Sequence, residues 1–357
     1  MGRALFLSRT LISRLAIGLA ALWVIPAHAP LAAKENDMLI IAHRGASAER
    51  PEHTLAAYER AILAGADYVE PDLVVTKVLV LVARHENELS DTTDVASREE
   101  FEARRRDKTV DGQLTAGWFA EDFTLEELRT LRAKERIPSI RPQNTRYNGL
   151  YQVPTFAEII QLVRAHEAES GRRIGIYPEL KHPTFLLQES GIDVVDLLVT
   201  QLRNEGLDGE DAKIFLQCFE VGTLQRLNQL VDNPLVQLVG PVGGPADEPS
   251  MSYADMTTPA GLADVAQYAD AIGAYTGMIL DEAGSPTALV TDASAVELAV
   301  HAWTLRPENA FLPPALQSPG QDSARGNMEA LQAMLAKAGV AAVFADDPAS
   351  AVKANGS

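Results

Sequence analysis

Glu70 and Asp72 stand two residues apart in the otherwise apolar run DYVEPDLVV (67–75). On an extended strand residues i and i+2 point to the same side, so the two carboxylates share a face. Like charges held that close repel, and they settle by sharing a proton or a cation. A third carboxylate, Glu179, lies near the end of IGIYPEL (174–180), with Lys181 just beyond. Three carboxylates and no cysteine describe a hard oxygen site suited to Ca²⁺ or Mg²⁺. Zn²⁺ ligated by His43 and His85 is one alternative, and a cluster neutralised only by Arg44 and Lys181 is another.

Other apolar runs also end in residues that are costly to bury. MLIIAH runs into His43 and Arg44, KIFLQCF carries Gln217, and AVHAWTL carries His301 and Trp303. Charged side chains are seldom fully buried unless paired or bound to metal. One such end reads as a structural ion pair; four read as a site. Of the remaining histidines, His53 caps or braces the helix after it or supports the site, His166 is solvated, and His182 reads first as a plain residue after the strand end, with lining the pocket as the alternative. Trp303 either walls the substrate or packs in the core.

His85 closes VVTKVLVLVARHE (74–86), which reads as one strand or as a hairpin. A two-residue turn at Val78-Leu79 places Asp72 opposite His85, on one face with Glu70. Val-Leu is poor chemistry for such a turn, whose residues need positive φ. The sequence therefore predicts a longer turn or a covered one.

Eight apolar runs supply the frame: 38–43, 67–75, 174–180, 213–219, 236–241, 270–275, 299–305 and 341–346. Amphipathic segments separate them, such as TLAAYERAILAG, N-capped at Thr54 and stopped at Gly65. Eight alternations predict an α/β fold, a TIM (β/α)₈ barrel, with a doubly wound open sheet as the alternative. The 93 residues between His85 and Glu179 exceed one βα unit and predict a subdomain inserted after the second strand's hairpin, at about 90–170. Within it, TLEE (124–127) and TFAE (155–158) are capping boxes, and REEFEARRRDK reads as a solvated helix or loop. A second long loop, 243–262, is expected to shape substrate entry.

Residues 1–29 read as a cleaved signal peptide, with Arg3, Arg9 and Arg14 before an apolar stretch and an Ala27-His28-Ala29 cleavage signal. Residues 30–357 are then one barrel domain, periplasmic, with no stable membrane insertion. Net charge is −18 for the whole chain and about −21 without the leader. With no basic stripe, nucleic acid is excluded as a partner. The lone Cys218 cannot form an internal disulfide and reads as a small buried apolar residue.

AHRGASAERPEHTLAAYERAILAGADYVEPDLVVTK, ARHENELSDTTDV, IGIYPELKHP, LQCF, VHAWTLRPEN and GVAAVFADDP resemble the glycerophosphodiester phosphodiesterases, most closely the bacterial periplasmic calcium-dependent branch. The resemblance covers essentially the whole mature chain. It implies a TIM barrel that hydrolyses glycerophosphodiesters to an alcohol and glycerol 3-phosphate, by way of a cyclic phosphate. By position, Glu70, Asp72 and Glu179 match the metal ligands, with Ca²⁺ favoured over Mg²⁺, and His43 and His85 match the general acid/base pair. Arg44 and Lys181 match the phosphate-side cations, with Gln217 and Trp303 on the substrate side. Two motifs depart from the family: Thr76-Lys77-Val78-Leu79 replaces Thr-Lys-Asp-Gly, and Ala345-Asp346-Asp347-Pro348 replaces Thr-Asp-Phe-Pro. These put the local turn and the packing of the last strand end in question. The implied partner is a small-molecule glycerophosphodiester, with a homodimer left open. A phospholipase D-type enzyme on membrane lipids and a silent phosphodiester-binding barrel are the rival functions.

Overall fold

The computed structural model describes residues 38–356; the expected leader lies outside them. All eight apolar runs form strands: β1 (Leu39–Ala42), β2 (Tyr68–Val69 and Asp72–Val75), β3 (Gly175–Ile176 and Glu179–Leu180), β4 (Leu216–Cys218), β5 (Leu235–Val239), β6 (Ala271–Tyr275), β7 (Ala299–Leu305) and β8 (Ala342–Ala345). Each pairs in parallel with the next, and β8 pairs with β1, Leu39 opposite Ala342 and Ala42 opposite Ala345. An open sheet would leave two unpaired edges. This ring leaves none, and the fold is a TIM barrel.

The strands read as unbroken apolar runs because both faces are buried. One face packs inside the barrel, where Tyr177 stacks on Phe215 at 5.0 Å and meets Phe344 edge-on at 5.1 Å. The other packs under the helices in one large core that includes Ile40, Val69 and Val343. Pro71 and Pro178 have no N–H to give the ladder, which is where β2 and β3 are each interrupted.

After β2 the chain turns and returns as Leu81–Ala83, antiparallel, with Val75 opposite Leu81 and Leu73 opposite Ala83. This register is one residue shorter than the one expected. Asp72 faces Arg84, whose N–H donates to the Asp72 carbonyl at 2.9 Å, and His85 lies beyond the ladder. The cause is the turn. Val78 and Leu79 cannot both take positive φ, so Lys77, Val78 and Leu79 form a three-residue loop with only Leu79 left-handed, at φ 62°. Thr76 Oγ1 accepts from Val80 N at 3.0 Å and closes it. The turn is longer, as expected, but not covered: Val78 and Leu79 are 51% and 52% exposed.

The long interval after His85 builds its own apolar cluster. Phe101, Trp118, Phe123, Leu128 and Val153 pack on Val74 and Val82, the hairpin's outer face. Both capping boxes form, at Thr124/Glu127 and Thr155/Glu158. The helix Phe156–Ser170 opened by the second box buries Phe156, Ile159, Ile160 and Val163 in the main core, so the separately packed segment stops near Val153. The charged stretch is not wholly solvated. Phe101 is buried edge-on to Phe123, and Lys108 is buried against Glu121 at 2.5 Å. The 243–262 segment holds two short helices, Tyr253–Met256 and Pro259–Val265.

Candidate active site

At the C-terminal end of the barrel a cavity of about 460 Å³ is lined by His43, Arg44, Glu70, His85, Glu179, Lys181, Gln217 and Trp303, among others. Asp72 lies beside it. Every candidate site residue therefore comes together, although the residues come from separate strands and the loops that follow them.

The carboxylates are the densest part. Glu70, Asp72 and Glu179 are buried, and each offers an oxygen within 4.8 Å of the others. Glu70 accepts from the Arg44 backbone N–H at 3.0 Å and from Gln217 Nε2 at 2.8 Å. Lys181 Nζ donates to Glu179 at 2.7 Å, and His53 lies 3.0 Å from Asp72 Oδ2. Asp72 Oδ1 and Gln217 Oε1 are buried with no partner. Burial, then repulsion from Asp72 and Glu179, pushes the Glu70 carboxyl well above its ordinary range. Burial also pushes Glu179 up to about 7, against the pull of Lys181. His53 and Arg44 overcome burial at Asp72 and hold it low. Three crowded oxygens, two of the carboxyls resisting ionisation and two orphaned acceptors, fit a divalent cation.

Both histidines carry the same support. His43 Nδ1 lies 2.5 Å from Asp346 Oδ1, and His85 Nδ1 is hydrogen-bonded to Glu86. Each Nδ1 therefore carries the proton, and each Nε2 is left as the acceptor. His43 Nε2 lies 3.9 Å from Glu70, and His85 Nε2 lies 3.3 Å from Lys181 Nζ. Burial, assisted by Arg44, lowers the His43 pKa to about 4. Burial, Arg44 and Lys181 push His85 well below its ordinary value. Both rings are neutral at pH 7.

The loop after β1 shows why His-Arg-Gly must end in glycine. Arg44 and Gly45 both have positive φ, 59° and 84°. A Cβ on Gly45 would sit 2.7 Å from the Ala57 carbonyl carbon in the first helix. That tight approach aims the Arg44 N–H at Glu70 and its side chain at Glu52, 3.3 Å away.

Several supporting residues were not legible as such. Asp346 is buried and, besides His43, meets Arg141 at 2.5 Å and Arg306 at 3.3 Å. Arg141 also pairs with Glu308, and Arg136 with Glu52 at 2.6 Å. Asp346 had a usable signal, an acid at the end of an apolar strand. The two arginines had none. The altered closing motif packs soundly, since Asp347 caps the last helix through Ser350. His53 is a brace, fully buried between Asp72 and the Tyr58 hydroxyl, 2.7 Å away. His182 does line the cavity, whereas His301 is buried against the Tyr177 hydroxyl at 2.7 Å. Trp303 walls the cavity, its Nε1–H fixed on the Gly273 carbonyl at 3.1 Å. Cys218 is buried, as expected of a small apolar residue.

Residues 43–350 match the model of the glycerophosphoryl diester phosphodiesterase family. A glycerophosphodiester phosphodiesterase of Arabidopsis thaliana is 37% identical over 287 residues, covering 76% of this chain and 75% of that one. One from Haemophilus influenzae is 28% identical over 347 residues, covering 89% and 90%. Among solved structures, an Oleispira antarctica phosphodiesterase in complex with the product sn-glycerol-3-phosphate aligns with TM-score 0.60 at 21% identity, over 89% of this chain and 97% of that one. A glycerophosphodiester phosphodiesterase from Agrobacterium tumefaciens gives TM-score 0.55 at 18% identity, over 87% and 97%. With the family model spanning the barrel from His43 to the last helix, the chain belongs to the glycerophosphoryl diester phosphodiesterase family and is a phosphodiester hydrolase.

Proposed function

We propose that the protein hydrolyses water-soluble glycerophosphodiesters, such as glycerophosphocholine and glycerophosphoethanolamine, to the alcohol and sn-glycerol 3-phosphate, as a periplasmic enzyme of the calcium-dependent branch. One observation carries the reading. Two histidines, each held at Nδ1 by a carboxylate, turn Nε2 toward one cavity beside a three-carboxylate cluster. That arrangement reads as an acid/base couple facing a cation site, with the Arg44 and Lys181 charges beside it.

Glu70, Asp72 and Glu179 would hold the cation, and the all-oxygen donor set, with Gln217 Oε1 close by, favours Ca²⁺. When bound it would neutralise phosphate oxygens and fix the glycerol hydroxyls. The chain's own residues do the rest. Arg44 and Lys181 face the phosphoryl oxygens as charge develops on them. One neutral histidine takes the proton of the glycerol 2-hydroxyl at Nε2 as that oxygen bonds to phosphorus. The P–O bond to the head group breaks, and the other histidine, which takes up a proton at Nε2 when the anionic substrate binds, gives that proton to the departing alkoxide. Water then opens the cyclic phosphate with the two roles exchanged. Arg44 and Lys181 depress His85, so an anionic substrate between them restores its affinity for a proton.

The test is release of glycerol 3-phosphate from glycerophosphocholine with and without chelator, in wild type, His43→Ala and His85→Ala. Calcium-dependent release lost in both variants is expected. Near-full turnover in either variant would reject the acid/base assignment, and cleavage of long-chain lipid alone would reject the substrate class. Recovery of the mature chain in the periplasmic fraction tests the location.

A further inference from the structure

The inserted segment sends a hairpin back to the site, Arg106–Val110 paired with Gln113–Gly117. Its tip, Asp111-Gly112, has positive φ at both residues, 48° and 78°, the geometry of a tight primed turn. Most of the hairpin is exposed, but it is anchored at two points. Buried Lys108 lies over the Phe185 ring at 5.8 Å, on the helix Pro183–Ser190. At the tip, Asp111 Oδ2 lies 2.6 Å from Nδ1 of His182, the residue before that helix.

His182 does not stop there. Its Nε2 lies 3.9 Å from Glu86 Oε2, and the other oxygen of Glu86 holds His85 Nδ1. Against the pull of burial, the Asp111 hydrogen bond and the nearby Glu86 carboxylate raise His182 to about 9, so it is an imidazolium that donates to Asp111 on one side and faces Glu86 across 3.9 Å on the other. Arg136 binds Glu52 through Nε and Nη2, at 3.0 and 2.6 Å, and its Nη1 donates to Glu86 Oε1 at 3.4 Å, the oxygen that already holds His85, leaving Oε2 to His182. Glu86 is half-exposed, and a carboxylate so placed can swing into water unless something pins its second oxygen.

We propose that Asp111 is a positioning residue for catalysis: through His182 it pins Glu86, and Glu86 holds the His85 ring with Nε2 toward the cavity. The inserted hairpin then contributes to the reacting geometry rather than only packing beside the barrel. This rests on His85 being one of the acid/base pair.

Asp111→Gly leaves Gly-Gly at the tip, which suits the same turn, and removes the carboxylate. His182→Asn cuts the link from the barrel side, and asparagine tolerates the left-handed backbone (φ 52°) there. Steady-state kinetics on glycerophosphocholine with calcium should show kcat down about tenfold in either variant with KM unchanged, the usual scale for losing an orienting partner. In a Glu86→Gln background, Asp111→Gly should cost nothing more, because the path it acts through is already cut. The proposal is overturned if Asp111→Gly and His182→Asn both keep wild-type kcat, or if the Asp111→Gly and Glu86→Gln losses multiply. Full activity of His85→Ala overturns instead the reading beneath it. Loss in His85→Ala beside wild-type Asp111→Gly overturns the role of Asp111 alone.

Discussion

Replacing Asp346 by asparagine keeps the size of the side chain and removes one charge. In the native site that charge faces the His43 ring through a 2.5 Å hydrogen bond, and two arginines, Arg141 and Arg306, close its other side. When His43 accepts a proton, the imidazolium is stabilised by a carboxylate about 4 Å from the ring centre, about 4 kcal/mol at an effective dielectric of about 20. Asparagine forfeits that and leaves two guanidinium groups facing the nascent cation. The expected fall in kcat is about 10³-fold, with KM little changed, because His43 does not hold the ground-state phosphate. Folding is partly buffered. Arg141 keeps Glu308 through bonds of 2.7 and 3.1 Å, so the loss in stability should stay below the ~3–5 kcal/mol of a fully broken buried pair. Glycerol 3-phosphate release, read with a thermal melt of the same preparation, decides the matter. A folded Asp346→Asn enzyme with kcat within tenfold of wild type would refute the reasoning.

Three further outcomes are expected. His53→Ala strips Asp72 of its 3.0 Å partner and should weaken calcium binding about 10–100-fold by titration calorimetry; unchanged affinity would remove His53 from the site's support. Calcium at about 100 times its Kd should stabilise the fold by about 2.7 kcal/mol, read as a rise in Tm that chelator reverses and Glu179→Gln abolishes. His182 has a folded pKa near 9, raised above 6.5, so its stabilisation is fully present below pH 6.5 and is lost as pH rises through 9. Urea melts between pH 6 and 10 should lose up to about 3 kcal/mol on that limb, and His182→Asn should flatten it.

What could be read without coordinates follows from where burial is costly. Continuous apolar runs are what a parallel strand covered on both faces requires, and all eight were visible. Polar residues at their ends stood out because nothing but a partner or an ion makes them tolerable there. Arg136 and Arg141 gave no such signal. Each sits in a loop where a cation is ordinarily solvated, and their acidic partners are 84, 167 and 205 residues away. The hairpin register slipped for a different reason. Counting opposed residues presupposes the loop length, and the backbone at Val78-Leu79 adopts three residues where two were counted. Even so His85 reaches the cavity, because it follows the ladder and its position is set by Glu86 and Lys181.

The hydrogen bond from His43 to Asp346 joins residues 303 apart across the seam where β8 meets β1. A seam of that span is among the most non-local contacts of the described residues, and such contacts form late. Until β8 docks, β1 presents a bare edge and His43 has no orienting partner. On the proposed acid/base role of His43, turnover reports complete closure. A chain shortened by its last dozen residues would lose Asp346 together with the final helix and should show no turnover. Regain of turnover during refolding should trail regain of helical signal.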